Sequence, residues 1–392
     1  MAQAAGASAP YAYLLCAAAM GMVVTCFAEA GSRLPTSGGV YGYVTEAFGG
    51  LAGFLCGMMT WMASVLACGG IAAALAATVG SVVPAAAGPG RAAVILAAIG
   101  SITLVNLGGV RGGARLVSLS TAVKLMPLLL FVCLGAWAVP GLAPPEATAP
   151  GGLGRAVILG MFAFSGMETV LGASGEVAEP HRTLPRALFG AMGFVLILYI
   201  SIQLVAQRLL GASLPQEAAP LAAAAARVSP FAGVVLVAGA GLSMLGWIGS
   251  DILGAPRVLF AFARDGLLPG VLGWVNARAH VPYVAILVHA AIAASLAISG
   301  SFAGLVVAAT LNTAGVYFLG CGAAWVLHKR GTQAAGPPLN LRLLPAASVL
   351  GMGSMVLLVC AAERQEMLGL AAVVAFSAAL YGIMRAASRR RR

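Results

Sequence analysis

A chain of 392 residues that is 61% hydrophobic and 8% charged carries about a third of the charge of an ordinary soluble domain, which makes it an integral membrane protein and excludes a soluble enzyme. Its net charge of +11 has no soluble segment on which to gather, so a nucleic-acid partner is excluded as well. The seven cysteines, at 16, 26, 56, 68, 133, 321 and 360, all fall in apolar runs without CxxC or metal spacing, and read as small buried hydrophobes.

In chain order, apolar runs predict eleven spanning helices, over about 9–28, 48–79, 92–107, 115–139, 155–174, 187–208, 230–262, 281–299, 302–327, 341–361 and 367–386. Each is long enough, or nearly so, for the ~20 residues that cross a bilayer. The runs 48–79 and 230–262 exceed one membrane thickness, and either tilt or extend beyond it. Threaded alternately with the C-terminus inside, they place sixteen of the 22 Lys and Arg residues on the cytoplasmic side, among them Arg33, Arg111, Arg257, Lys329 and Arg389 to Arg392. Five lie outside, and the positive-inside rule turns that bias into an orientation. The N-terminus is then external, with no basic leader before the first span.

Between the first two spans, Phe27-Ala28-Glu29-Ala30-Gly31-Ser32-Arg33-Leu34-Pro35 leads to Gly38-Gly39. Pro35 and the glycine pair break the helix, and Arg33 is expected at the cytoplasmic surface. Next comes Asn106-Leu107-Gly108-Gly109-Val110-Arg111, a tight basic turn before the span that holds Lys124. Lys124 lies about ten residues into that span, or ~15 Å at 1.5 Å per residue, and either snorkels to the surface or is buried.

The fifth span contains Phe162-Ala163-Phe164-Ser165-Gly166-Met167-Glu168. An ionised acid at the centre of a spanning helix costs about 2.5–3.5 kcal/mol, so such residues face a polar cavity or carry a proton. Ser165-Gly166 weakens the helix beside it, since glycine costs about 1 kcal/mol relative to alanine. The expectation is a broken helix beside a polar site, with Glu168 either hydrogen-bonded to a neighbour in its neutral form or supporting the break and relaying a proton. Beyond it run Gly175-Glu176-Val177-Ala178-Glu179-Pro180-His181-Arg182 and, after the seventh span, Ala255-Pro256-Arg257-Val258-Leu259-Phe260-Ala261-Phe262-Ala263-Arg264-Asp265-Gly266. No HExxH, GxSxG or GxxxxGKS string occurs, so neither intramembrane proteolysis nor direct ATP drive is supported, and no catalytic residue, metal or cofactor is expected.

Taken together, AEAGSRLPTSGGVYGYV, NLGGVRGGARL, AFSGMETVLGASGEVAEPHRTLPRAL, GAPRVLFAFARDGLLP and VPYVAILVHAA resemble the amino acid permeases of the amino acid–polyamine–organocation superfamily, in order and spacing over nearly the whole chain. The resemblance implies an all-α, leucine-transporter-like fold of inverted repeats. Residues 9–139 would be four helices of the first repeat, 155–327 the five of the second, and 341–386 two extra helices. Residues 7–28 look like the family's second helix, so the chain resembles a permease lacking the first, which in that family carries a glycine-rich break. The implied function is secondary active transport of amino acids or related amines by alternating access, as proton-coupled symport or exchange, with no enzyme activity. The competing reading is a truncated, non-transporting remnant or a membrane subunit; oligomeric state stays open.

By the same resemblance, Phe162 gates the substrate while Ser165 and Gly166 offer it backbone groups. Lys124 would replace a sodium ion as in proton-coupled members, since desolvation disfavours a charged ammonium. Asp251 departs from the family, which often has an aromatic side chain nearby. It either pairs with Lys124 or faces the cavity, where it would favour a cationic amino acid or a polyamine. Trp61 and Ser64 on the second span, Ser243 and Trp247 on the seventh, and Asn312, Thr313 and Tyr317 on the ninth are further candidates for the cavity wall, though most side chains of this kind simply pack. His289 has no acidic neighbour at helical spacing and reads as a hydrogen-bonded core histidine. The membrane implied is a bacterial-type cytoplasmic membrane.

Overall fold

A computed structural model describes residues 2–34, 39–108, 113–138, 152–171, 179–217, 219–276, 279–334 and 338–390. All regular structure among them is helical. After a short turn at Ala2–Ala5, the helices are α1 (Ala9–Arg33), α2 (Gly39–Phe48), α3 (Gly50–Val82), α4 (Gly90–Leu107), α5 (Gly113–Ala138), α6 (Leu153–Phe164), α7 (Met167–Leu171) and α8 (Pro180–Leu210). There follow α9 (Pro220–Val228), α10 (Pro230–Gly254), α11 (Pro256–Arg264), α12 (Tyr283–Ser299), α13 (Phe302–Arg330), α14 (Leu344–Cys360) and α15 (Arg364–Arg390). Among the described residues, seven helical segments are long and apolar enough to cross a membrane, and four shorter apolar helices accompany them. Together they account for every predicted span.

Proline and glycine place the ends. Pro180, Pro220, Pro230 and Pro256 each open a helix, where a missing N–H costs nothing. Pro256 also divides the long seventh run, because a ring at that point removes a hydrogen bond from the preceding turn; the predicted 230–262 is therefore two helices, α10 and α11. Its counterpart α3 is unbroken over 33 residues, or about 50 Å. The helix α2 was not foreseen.

The outer surface is apolar: Val105 is 73% exposed, Phe231 76% and Ile383 65%. Water would not tolerate so much exposed hydrocarbon, but a bilayer covers it. The chain is a multi-pass integral membrane protein.

It divides into two compact units. The first comprises Met1–Pro10, Ser64–Leu153 and Leu198–Val306; the second comprises Tyr11–Ala63, Gly154–Ile197 and Val307–Arg392. In the first, Phe131 of α5, Ile202 and Val205 of α8, Ala224 and Ala225 of α9 and Leu236 of α10 form one hydrophobic cluster. In the second, Met20, Val23 and Phe27 of α1, Tyr43 of α2, Leu311, Val316 and Tyr317 of α13 and Met355 of α14 are almost wholly buried.

Candidate functional site

The predicted fifth span is broken in its middle. Helix α6 stops at Phe164 and α7 starts at Met167, and between them Gly166 takes φ +117°, a conformation open to glycine and strained for other residues. Ser165 folds back on α6: its N–H donates to Met161 O at 3.0 Å and to Phe162 O at 3.2 Å, and its hydroxyl to Phe162 O at 2.7 Å. Glu168 spans the gap from the other side. Its Oε2 accepts the Gly166 N–H at 3.0 Å and the Tyr317 hydroxyl of α13 at 2.6 Å. Tyr317 is 1% exposed and stands edge-on to Phe27 at 5.5 Å, so the phenol that fixes the carboxylate is itself held by packing. A small cavity is lined by Met161, Thr310, Thr313, Ala314, Tyr317, Met355 and Leu358.

The site residues named from sequence fall in both units. In the second, Ser165, Gly166 and Glu168 come together with Tyr317 and with the carbonyl of Phe162. Trp61 is 6% exposed, and its indole N–H has no partner among the described residues. Asn312 donates to Ala308 O at 2.9 Å while its Oδ1 has none. Buried polar atoms are rarely left so, and a donor and an acceptor thus stand available. In the first unit, Ser64 donates to Asp251 Oδ1 and His289 Nε2 lies 3.0 Å from Asp251 Oδ2. Asp251, 9% exposed, has both oxygens engaged. The core histidine expected at 289 is present, bonded to a carboxylate from another helix. Lys124 lies on α5, but its side chain is outside the described residues.

One expectation is corrected. Arg33 is not at the surface: it is 2% exposed and Glu29 is 0%, and the two pair at 2.8 Å one helical turn apart. Around them, Arg33 donates to Asn340 Oδ1 at 2.6 Å and to Thr332 O at 3.2 Å. His328 Nδ1 lies 2.9 Å from Glu29, and Leu341 N–H donates to Glu29 Oε2 at 3.1 Å. A charge pair taken out of water persists only when its remaining bonding positions are filled, and here the end of α13 and the segment after it fill them. Sequence carried one signal for this, the (i, i+4) spacing of Glu29 and Arg33.

The pattern of the amino acid permease family matches residues 1–383. The chain belongs to that family. An uncharacterized transporter of Mycobacterium tuberculosis is 32% identical over 98% of this chain and 88% of its own length. The serine/threonine exchanger SteT of Bacillus subtilis is 28% identical over 68% of this chain. The large neutral amino acids transporter small subunit 2 of Oryctolagus cuniculus is 31% identical over 67%. The matched part is 63% of the exchanger's length and 52% of the rabbit transporter's. Membership places the chain among amino acid transporters of the amino acid–polyamine–organocation superfamily rather than among enzymes.

Proposed function

We propose that the chain moves neutral amino acids across a membrane by alternating access, binding them at the break between α6 and α7. The observation that carries this reading is the Glu168 carboxylate seated on the Gly166 N–H and the Tyr317 hydroxyl. A substrate carboxylate needs backbone N–H donors at a helix break, and at this break Glu168 holds one of them. Glu168, which holds Gly166 and Tyr317 together at the break, is the ionisable group through which proton uptake would couple to binding. The orphaned Trp61 N–H and Asn312 Oδ1 are groups that a polar substrate can satisfy. Phe162, half-buried at the end of α6, is suited to cover it.

Engagement of Asp251 by Ser64 and His289 removes the carboxylate that would have selected a cation, which favours a neutral substrate over a polyamine or arginine. The names of the relatives, for serine, threonine and large neutral amino acids, agree with this, and the exchanger among them favours exchange alongside proton symport. The inverted-repeat division, with repeats at 9–139 and 155–327, and a cytoplasmic C-terminus in a bacterial cytoplasmic membrane belong to the same reading. In liposomes containing the purified chain, uptake of labelled serine, leucine, arginine and putrescine is compared with and without an inward proton gradient or internal amino acid. The expected outcome is uptake of serine or leucine stimulated by one of the two. Preference for arginine or putrescine overturns the substrate class, and absence of all uptake supports the non-transporting reading.

A further inference from the structure

Within the first unit, the part of α3 from Ser64 onward, α10 and α12 bring a thiol, a carboxylate and an imidazole to one buried point. Ser64 and Cys68 lie one turn apart on the same face of α3. At Gly69 the backbones of α3 and α12 nearly touch: a Cβ there would sit 3.1 Å from Ala293 O and 3.2 Å from the Leu296 Cβ. His289 lies one turn before Ala293 on α12, so this close approach sets its ring beside Cys68. Asp251 arrives from α10, a helix tied to α4 by Asn106, whose amide donates to Gly249 O at 3.2 Å. The ligand atoms of Cys68, Asp251 and His289 all lie within 4.8 Å of one another. Cys68 and His289 are 0% exposed, and His289 Nδ1 has no hydrogen-bond partner among the described residues.

The geometry points to a binding site for a zinc-like divalent transition metal formed by Cys68, Asp251 and His289, a role that goes beyond amino acid transport and does not depend on it. Zinc binds thiolate at about 2.3 Å, and imidazole and carboxylate at about 2.0–2.2 Å. Tetrahedral ligands at those lengths are ~3–4 Å apart, so a small closure of this triad suffices. Charge favours the same occupant. A buried ion is stable only when compensated, and a dication with one thiolate, one carboxylate and one neutral imidazole sums to zero. A thiolate donor is matched to zinc and its neighbours, whereas magnesium and calcium require oxygen ligands. The Ser64 hydroxyl on Asp251 Oδ1 orients the carboxylate from outside, as partners of metal ligands do.

The test uses tag-free, purified full-length chain. Metal content is measured by mass spectrometry, and the chelated protein is titrated with cobalt(II), whose sulfur-to-metal charge-transfer absorption reports a thiolate ligand. The expected result is near one zinc per wild-type chain, a cobalt–thiolate band, and a melting temperature raised by zinc. Cys68→Ser and His289→Ala should each lose the metal, and Cys68→Ser the band. No band in the wild type overturns the proposal even if the variants fail to fold, and so does a band that survives in Cys68→Ser.

Discussion

Glu168 Oε2 accepts from a backbone amide and from a phenol at once, so Glu168→Gln keeps both partners and removes only the charge and the proton. Folded yield in detergent should stay close to wild type, while uptake is lost or no longer varies with pH; unchanged uptake with the original pH profile contradicts the coupling role. Removing the other partner tests the anchor. A hydrogen bond to a charged group is worth about 1.5–3 kcal/mol, so Tyr317→Phe should lower uptake roughly tenfold or more, and a variant within twofold of wild type would show that the phenol does not position Glu168. Breaking the buried Glu29–Arg33 pair from one side should cost about 3–5 kcal/mol. A fall in melting temperature for Glu29→Ala, largely restored in Glu29→Leu with Arg33→Leu, is the expected calorimetric pattern. With Asp251 bonded to Ser64 and His289, Asp251→Asn should leave the preference between arginine and alanine in competition assays as in the wild type, and a changed preference would put Asp251 back in contact with substrate. Glu168 was conspicuous in the sequence because a carboxylate in an apolar run needs a reason. Its partner Tyr317, 149 residues on, stood out only as a candidate for the cavity wall with nothing to pair it with Glu168, and the meeting of Cys68, Asp251 and His289 exists only after three helices pack.

Hydropathy made each spanning helix legible, since about 20 apolar residues leave few alternatives in a bilayer. The break at Ser165-Gly166 was legible too, from residues that weaken a helix beside a buried charge. The helix α2, reading GVYGYVTEAF, was not, because two glycines within one short segment resemble a turn and only packing of its buried face makes it helical. The division of the seventh run at Pro256 was available from the proline and from Arg257 directly after it, but was masked by the apolar Val258-Leu259-Phe260-Ala261-Phe262 that carries the hydrophobic run onward. The break itself gives the sharpest test at this scale. A Cβ at Gly166 would meet nothing within 4 Å, so the penalty in Gly166→Ala comes from φ +117° alone, about 1–3 kcal/mol. Uptake should fall with the fold intact; full activity would mean that the gap between α6 and α7 need not hold this shape.

For the whole molecule, membership of the permease family covers residues 1–383, and the broken helix at Ser165-Gly166 is the place proposed for substrate. Composition established the membrane, and the resemblance of the motifs to the permease family implied the fold class. The side of the membrane on which each end lies rests on charge bias alone, and accessibility of a cysteine introduced near Arg385 to impermeant reagent in intact cells is expected to be low. Substrate choice was the least legible property, because it depends on which polar groups remain free after packing: Asp251, the one residue that suggested a cation, is engaged with Ser64 and His289. The measurement that bears most directly on the central claim is exchange of labelled serine or leucine in proteoliposomes, comparing wild type, Glu168→Gln and Tyr317→Phe at matched folded protein. The account expects exchange by the wild type that both substitutions cut sharply. Wild-type exchange left untouched by either would place the substrate elsewhere in the chain and contradict it.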